Sequence, residues 1–478
     1  MRRGKIEKLI TITSILLIGI LAMFFHFEIH FENTLTKLPE SDFEVNISIW
    51  RYLFEPFLGP LIFFNRAIYA LKELPLALIW FTFIYLFIDL ILVYINGDGR
   101  REMLLKKLSN LPLLLGICFS IFVLILFIPL PNNTIINHSE NSVLVTTHAH
   151  TEYSHDGLIS QVGMWKWHKR NGFDAFFITD HANHKKSLQF SQAQRKGEFE
   201  ITPLIMVGQE HSGSNHMSLL GLDGTFEAKG KSDKAVIDSV HKYGGTVIIN
   251  HWFDGKGKAK EFYRDLGADG FEIENVGSDL YYNRENYEEL KKFCVANNMT
   301  MIGGLDFHGY GRVCSIYNAL EIPNWKLMEP MEKEKAVVDI IKNGPQEKIK
   351  ILLYKDRDYY TDSSLIFRPF MTLVNYFRTL NFIQVISWVF WILLFQFVKE
   401  RVKSSFLDPD KMLVLLGGFC VMFLLVLSGL YYSKGMSVKG YNKVYLEYFE
   451  VLGMVGFVLL VFVLLLGYLR FSRKPIIN

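Results

Sequence analysis

SVLVTTHAH (residues 142–150) joins a short hydrophobic run to two histidines that a single residue separates. The same arrangement recurs along the chain, with metal-binding side chains at or just beyond the ends of hydrophobic runs at 143–145, 175–178, 204–207, 246–249 and 301–302. Those side chains are His148, His150, Asp180, His181, Glu210, Asn250, His251, Asp306 and His308, to which His216 adds one more. Imidazole and carboxylate groups suit zinc, manganese and iron. The pattern therefore predicts a metal site built on strand ends.

Stretches with helical spacing of apolar residues lie between these runs. They cover residues 158–169, 235–243 and 287–295, and Asn or Gly residues typical of helix ends follow each of them. This alternation predicts an α/β domain with a mainly parallel sheet. Because the carboxyl ends of parallel strands converge, ligands that are distant in sequence can meet there.

The order of the motifs resembles the PHP family, named for polymerase and histidinol phosphatase domains. The motifs are His148-x-His150, Ser154-His155-Asp156-Gly157, Thr179-Asp180-His181, Gln209-Glu210, His216, Asn250-His251 and Asp306-x-His308. The resemblance covers residues 142–356 and implies a distorted (βα)7-type barrel, up to three metal ions and hydrolysis of phosphoester bonds. Two residues depart from the family pattern. Trp252 stands where the family often has proline, and Gln209 precedes Glu210, but neither departure removes a ligand.

The resemblance also implies which residues would hold two to three divalent ions of zinc, manganese or iron. The first ion would be held by His148, His150, Glu210 and Asp306. Glu210 would bridge to a second ion held with His216 and His251, while His181 and His308 would hold a third. The remaining ligand of the third site is His155 or Asp156, and Asp156 is favoured because it directly precedes Gly157.

The implied chemistry is hydrolysis of a phosphate mono- or diester by a metal-activated hydroxide, since metals lower the pKa of bound water from about 15.7 to about 7. Glu210, Asp306 and Arg312 are the expected catalytic residues. Lys256 is a further candidate for neutralising phosphoryl oxygens, and it and Arg312 are chosen only for their nearness in sequence. The alternative hypothesis is a sensor or transport component that binds metal or a ligand without hydrolysis.

Apolar runs on both sides of this region predict transmembrane helices. The expected organisation is an N-terminal membrane region at 1–130, the metal-dependent domain at 137–355, a linker at 356–381 and a C-terminal membrane region at 382–478. Three helices are expected in each membrane region, at about 9–27, 76–95 and 111–130 and at about 382–398, 412–432 and 451–469. The domain is thus inserted between two groups of helices.

Four groups of lysines and arginines fall on one side of a six-helix arrangement, at residues 2–8, 100–107, 399–403 and 470–474. The positive-inside rule makes that side, with both termini, cytoplasmic, so the domain is expected outside the cell membrane. Residues 58–71 are interpreted as an interfacial or partly buried helix, and a crossing there would overturn this topology.

The location favours a phosphoester of the cell envelope, including a lipid-linked one, and makes the bilayer itself a partner. The net charge of +3 gives no support for a nucleic-acid partner. Cys294 and Cys314 could form a disulfide if their Cα atoms approach within about 7 Å.

Overall fold

The computed structural model describes residues 2–64, 67–96, 105, 108–181, 184–252, 255, 257–275, 284–310, 314–357, 367–401 and 409–471. Arg312 and Lys256, the two candidates for contacts with phosphoryl oxygens, lie outside the described residues. Half of the basic residues on which the predicted orientation rests also lie outside them, so the orientation stays a prediction.

Most strands belong to one large mixed sheet. The strands are β1 (His30–Asn33), β2 (Leu38–Pro39), β3 (Phe43–Asn46), β4 (Thr134–Asn137), β5 (Ser142–Thr146), β6 (Ala175–Ile178), β7 (Leu204–Ser212), β8 (His216–Leu220), β9 (Thr246–Ile249), β10 (Gly270–Asn275), β11 (Thr300–Gly304), β12 (Ile316–Glu321) and β13 (Ile349–Lys355). The order in the 11-stranded sheet is β11-β10-β9-β8-β7-β6-β5-β12-β13-β1-β2, and β3 pairs with β4 separately. The hydrophobic runs predicted as strands are confirmed, since they form β5, β6, β7, β9 and β11.

Helices cover both faces of the sheet and form the apolar part of the chain. They are α1 (Arg2–Phe24), α2 (Ile49–Phe64), α3 (Ala67–Asn96), α4 (Leu111–Phe127), α5 (Gln161–Arg170), α6 (Lys185–Arg195), α7 (Asp233–Lys242), α8 (Lys260–Leu266), α9 (Arg284–Ala296), α10 (Pro330–Asn343), α11 (Arg368–Arg378), α12 (Phe382–Arg401), α13 (Pro409–Ser437) and α14 (Val444–Phe471). Ser160 begins α5 as an N-cap, because its side-chain oxygen accepts a hydrogen bond from the Gly163 N–H at 3.1 Å. The three helices predicted inside the domain are confirmed as α5, α7 and α9.

The expectation of a mainly parallel sheet is wrong. The runs β5-β6-β7 and β9-β10-β11 are parallel, but β8 is antiparallel to both β7 and β9. β12, β13, β1 and β2 add further antiparallel pairs. The physical reason for β8 is the short connection at 213–215, which is long enough for a hairpin but not for the crossover that a parallel pair needs.

Closure of the sheet into a barrel is not confirmed, because β11 and β2 stand at the two ends of the strand order. A side-chain amide nevertheless links β11 to the middle of the sheet. Asn318 on β12 accepts from the Gly303 N–H at 2.7 Å and donates to the Gly303 carbonyl at 2.8 Å. In the described part of the chain, this amide takes the place of a backbone ladder between β11 and β12.

Alternate residues of the strands pack on opposite faces of the sheet, as the period of two requires. Leu144 and Phe176 belong to the larger core, which also contains Trp167 of α5. Val143 and Phe177 belong to a second core that Val337, Val338 and Ile341 of α10 cover. Helices therefore bury both faces, and the ends of the strands remain to form the site.

The N-terminal region, predicted as a membrane region at 1–130, also contributes strands to the domain at residues 30–46. β1 pairs antiparallel with β13, and β3 pairs with β4. Phe31 is buried to 1% exposure with its ring against Tyr317 and Tyr354. A four-residue strand is too short to show alternation, and its partner lies more than 300 residues later, which is why sequence patterning missed it.

The C-terminal region contains three helical segments long and apolar enough to cross a membrane, Phe382–Lys399, Asp410–Ser437 and Val444–Phe471. They contain the spans expected at 382–398, 412–432 and 451–469. Three shorter apolar helical segments overlap the other three expected spans, at about 9–27, 76–95 and 111–130. They are Lys8–Phe24, Pro75–Ile88 and Leu111–Phe127. The chain is therefore suited to membrane association.

Two smaller elements differ from the sequence analysis. Residues 58–71 are divided between α2, which contains Pro56 and Pro60, and α3. The linker expected at 356–381 contains α11, where Tyr376 is fully buried against Phe63. This short helix is strongly amphipathic, and the packing of its apolar face stabilises it.

Candidate metal centre

The predicted ligands meet at one edge of the sheet. His148 and His150 follow β5, His181 follows β6, Glu210 lies in β7, His216 begins β8, His251 follows β9, and Asp306 and His308 follow β11. Backbone contacts continue beyond the strands, since His150 N–H donates to the Phe307 carbonyl at 2.9 Å. Asp306 and His251 have positive φ angles of 48° and 26°, which non-glycine residues rarely adopt and which are frequent at functional sites.

Four of these side chains form a compact buried group. His148 Nε2 lies 3.2 Å from Glu210 Oε1 and 3.2 Å from Asp306 Oδ1. His150 Nε2 lies 3.2 Å from Glu210 Oε2 and 3.3 Å from Asp306 Oδ1. These spacings fit one divalent ion, because ligand atoms about 2.1 Å from a metal lie roughly 3.0–3.4 Å apart in octahedral or tetrahedral geometry. The residues proposed for the first site are thus brought together.

Glu210 also contacts three other histidines. His216 Nδ1 lies 3.1 Å from Oε1, His181 Nε2 lies 3.2 Å from Oε2, and His251 Nε2 lies 3.5 Å from Oε1. His181, Glu210 and His216 are close enough to hold an ion together. The geometry therefore brings His181 to the second group, whereas the sequence analysis placed it only in the third.

Asp156 lies at the centre of the third group. Its Oδ2 is 3.1 Å from His308 Nε2, 3.5 Å from His181 Nε2 and 3.6 Å from His155 Nε2. The His155 side chain is 55% exposed and stands at the rim. His155 and Asp156 were the two alternatives for the remaining ligand of the third group. Asp156 contacts both His181 and His308, and His155 is close enough to be an additional ligand.

The carboxylates control the protonation of the histidines. Burial lowers the pKa of His150, but hydrogen bonds with Asp306 and Glu210 outweigh it and raise the pKa to about 10. Burial is similarly outweighed at His251, where Glu210 and Asp306 raise the pKa to about 9. Burial alone would raise the pKa of Glu210, but the charge of His148 and hydrogen bonds from histidines hold it well below its usual value. The negative charge that stabilises these protons would equally stabilise a cation.

We expect metal binding to release protons. At pH 7 and without metal, the pKa values of about 10 and about 9 place a proton on both His150 and His251. Each must lose it to ligate, so metal affinity should rise as the pH increases toward those values. Burial lowers the pKa of His148, but Asp306, Glu272 and Glu210 outweigh it and hold the pKa well above its usual value, so His148 also carries this extra proton. Calorimetry of Zn²⁺ binding at pH 7, in two buffers of different ionisation enthalpy, should therefore give about three protons released per protein. Binding without proton release would contradict the protonated state of these histidines.

Glu272 is a fully buried carboxylate on β10 that the sequence pattern did not predict as a site residue. Its Oε1 lies 2.8 Å from His148 Nδ1, and its Oε2 accepts hydrogen bonds from Asn275 Nδ2 at 2.9 Å and the His251 N–H at 3.2 Å. A proton held between Glu272 and Nδ1 leaves His148 Nε2 free to ligate. The only sequence signal was acidic residues inside the apolar run 270–275.

We expect Glu272→Gln to weaken metal binding by roughly 10–100-fold, the usual effect of losing a carboxylate that orients a ligating histidine. The change keeps the size of the side chain and removes the charge that fixes the His148 tautomer. Competition with a fluorescent zinc chelator would measure the affinity. Glu334→Gln is the control, because Glu334 is also largely buried but pairs with Arg195 on the helix α6. Equal affinities in both variants would remove Glu272 from the site.

The loop that carries Asp156 rests on the connection between α13 and α14. Asn442 Nδ2 donates to the carbonyls of Ser154 and Gly157, both at 2.7 Å. Lys434 forms an ion pair with Glu152, and the rings of Tyr441 and Tyr153 meet edge to face at 5.2 Å. The ligand-bearing edge of the sheet therefore faces the ends of apolar helices.

A cavity of about 520 Å³ adjoins Glu210. It is lined by His184, Lys185, His211, Phe226 and Lys229 among others. The cavity is large enough for a small organic phosphate, and two lysines supply positive charge beside the ligand groups. Neither lysine was predicted as a site residue, because nothing in the sequence around Lys185 or Lys229 distinguishes it from a surface lysine.

One histidine and two cysteines of the domain lie apart from the candidate ligands. His168 is fully buried and stacks on Phe176, and burial lowers its pKa to about 3. Cys294 and Cys314 are both free thiols, so the disulfide considered from the sequence is not formed.

Part of the sequence is similar to a known domain family. Residues 146–302 match the PHP domain. A two-domain protein of Bacteroides vulgatus, described as containing a predicted PHP-like metal-dependent phosphoesterase, is 18% identical with a TM-score of 0.35, over 45% of this chain and 65% of that chain. PsfC of Pseudomonas syringae is 17% identical with a TM-score of 0.29, over 38% of this chain and 84% of that chain. An amidohydrolase of Chromobacterium violaceum is 13% identical with a TM-score of 0.29, over 40% of this chain and 96% of that chain. No curated protein matches the sequence.

Proposed function

We propose that this chain, in which residues 146–302 match the PHP domain, is a membrane-bound hydrolase of phosphate mono- or diesters that uses two to three divalent ions. The observation that carries the proposal is the group formed by His148, His150, Glu210 and Asp306, whose carboxylate and imidazole atoms lie 3.2–3.3 Å apart. Zinc, manganese and iron all suit this set of ligands.

Divalent ions bound at this edge would neutralise phosphoryl oxygens and lower the pKa of a water ligand to about 7. The protein side chains supply the positioning. Glu210 contacts histidines of the first and second groups, so it fixes the two groups relative to each other. Lys185 and Lys229 in the adjoining cavity offer positive charge to the ester. Arg312 remains a proposal from sequence alone.

We further infer that α1, α3, α4, α12, α13 and α14 cross the membrane and that the domain lies outside it. Three observations support the proposal that the helices share one end facing the domain. The N–H of Phe27, just after α1, donates to the Arg378 carbonyl at 2.9 Å, close to the start of α12. β4 follows α4, and Asn442 between α13 and α14 donates to the loop that carries Asp156. At the opposite end, Arg470 contacts Asp410 and Asn110. Basic residues at that opposite end favour the cytoplasmic side.

We propose that the substrate is a phosphoester of the cell envelope, such as a phosphate attached to a lipid or to a polymer. The contact between the ligand loop and the α13–α14 connection supports a substrate that reaches the site near the bilayer surface. The bilayer is therefore the expected partner, and nucleic acid is not.

The test uses the full chain, because β1 pairs with β13 and a segment starting at residue 137 would leave that edge exposed. Protein in nanodiscs would be assayed with p-nitrophenyl phosphate and bis-p-nitrophenyl phosphate, with Mn²⁺ or Zn²⁺ added. We expect turnover that a chelator abolishes and metal restores. If the protein binds metal stoichiometrically but hydrolyses neither these esters nor phosphatidylglycerol, the proposal fails. The non-hydrolytic sensor, with Asn442 transmitting the state of the site to the helices, then replaces it.

A further inference from the structure

We propose that the junction between the domain and the helices binds an anionic phospholipid, in a groove between α5 and α13. The groove has a volume of about 510 Å³ and is lined by Leu158, Lys166, Arg170, Leu427, Tyr431 and Lys434, among others. We call it the interfacial groove. This ligand site is separate from the metal centre and goes beyond the proposed hydrolysis.

Positive charge lines one wall of the interfacial groove. Gly163, Lys166, Trp167 and Arg170 lie at helical spacing on one face of α5, so the two cations project from the same side. Both are exposed, and neither forms an ion pair with a carboxylate among the residues that the structure describes. Across the groove, at the end of α13, Lys434 is a third cation that is paired with Glu152. The α5 wall therefore complements an anion.

The opposite wall is apolar and continues onto a helix suited to cross a membrane. Leu427 and Tyr431 of α13 line the groove, together with Leu430, which is 61% exposed. One turn earlier, Val426 is 58% exposed on the same helix. A free phosphate ion would satisfy the cations but leave this apolar surface uncovered. A lipid satisfies both walls, with its phosphate at Lys166 and Arg170 and an acyl chain along α13.

A second cavity extends the interfacial groove along the junction. It has a volume of about 700 Å³ and shares Pro129 and Arg170 with the groove. Trp50, which is 54% exposed, also lines it. Tryptophan is enriched at the level of lipid head groups, so this position fits the membrane surface. The two cavities together provide room for a glycerophosphate head group at the level of the membrane surface.

The experiment measures lipid retention by the full chain. Protein purified in mild detergent would be mixed with equal amounts of dioleoyl phosphatidylglycerol and dioleoyl phosphatidylcholine and analysed by native mass spectrometry. We expect the wild type to retain phosphatidylglycerol preferentially. Removing both cations with Lys166→Ala and Arg170→Ala should lower that preference roughly 25-fold, since each cation near the membrane surface contributes roughly fivefold.

Lys169→Ala is the matched control, because Lys169 lies on the same helix but pairs with Glu200 and sits over the Trp165 ring. It should keep the wild-type preference, and unchanged bound zinc would show that all variants are folded. Equal retention of the two lipids by the wild type, or an undiminished preference in the double variant, would overturn the proposal. Displacement of the lipid by equimolar soluble glycerol 1-phosphate would also overturn it, by identifying a free phosphate as the ligand. None of these readouts requires hydrolysis, so they are independent of the proposed activity.

Discussion

The Glu210→Gln protein should lose phosphoester hydrolysis by roughly a thousandfold or more. Both Glu210 oxygens are in use, Oε1 beside His148 and His216, and Oε2 beside His150 and His181. Glutamine has the same size, but it replaces one carboxylate oxygen by an NH₂ group and removes negative charge that would offset bound divalent ions. The first and second groups of ligands are therefore impaired together.

The measurement is kcat/KM for bis-p-nitrophenyl phosphate with the full chain in nanodiscs, accompanied by metal analysis of the purified protein. Glu334→Gln is the comparison, since it also neutralises a largely buried carboxylate but touches no ligand. It should keep the wild-type rate. A Glu210→Gln protein that retains its metal content and its rate would show that hydrolysis does not depend on the carboxylate of Glu210.

The position of the site was predictable because its signals are local. All the candidate ligands except His155, Asp156 and His216 follow a short hydrophobic run, and these runs become buried strands such as β6 and β9. The end of a buried strand is fixed by the few residues around it, so the sequence alone locates His181 and His251 at one edge of the sheet. The convergence of the predicted ligands follows from that placement.

The strand order could not be predicted, because pairing depends on residues that are distant in sequence. β1 reaches β13 across more than 300 residues, and β12 inserts beside β5 in antiparallel orientation. Glu272 was missed for a related reason. Its role depends on His148, which lies 124 residues away and becomes its neighbour only when the sheet forms. Roles that act through another side chain leave little trace in a local pattern.

The apolar runs were easier to recognise than their arrangement. Runs near 412–432 and 451–469 correspond to α13 and α14, and Leu459 of α14 packs against Gly116 of α4. Hydropathy alone shows that a helix is apolar, but not which neighbour it contacts or how it meets a soluble domain. Asn442 illustrates the difference, since nothing in its sequence context indicates that it supports the ligand loop.

Replacing Glu55 should produce the largest loss of stability outside the metal centre. Arg51 and Glu55 on α2 form a bidentate ion pair, with Nε–Oε2 and Nη2–Oε1 distances of 2.7 and 2.6 Å, and the side chains are 7% and 0% exposed. Tyr376 donates to Glu55 Oε1 at 2.8 Å, and Arg51 donates to Asn133 at 3.3 Å. Asn133 donates in turn to Tyr354 on β13 at 2.8 Å. This network joins α2 and α11 to the sheet.

Because Glu55→Ala leaves the Arg51 charge buried without its partner, it should lower the free energy of unfolding by about 3–5 kcal/mol. The thermal midpoint of the full chain in detergent should fall by roughly 5–10 °C. Asp238→Ala is the matched control, because Lys234 and Asp238 form an ion pair of the same helical spacing that is more than half exposed, and it should cost only about 0.3–0.5 kcal/mol. Adding Arg51→Met to Glu55→Ala removes the unpaired charge and should recover part of the loss. If Glu55→Ala lowers the midpoint no more than Asp238→Ala does, the buried network does not hold the helices to the domain. The contact of the α13–α14 connection with the ligand loop must then carry that role.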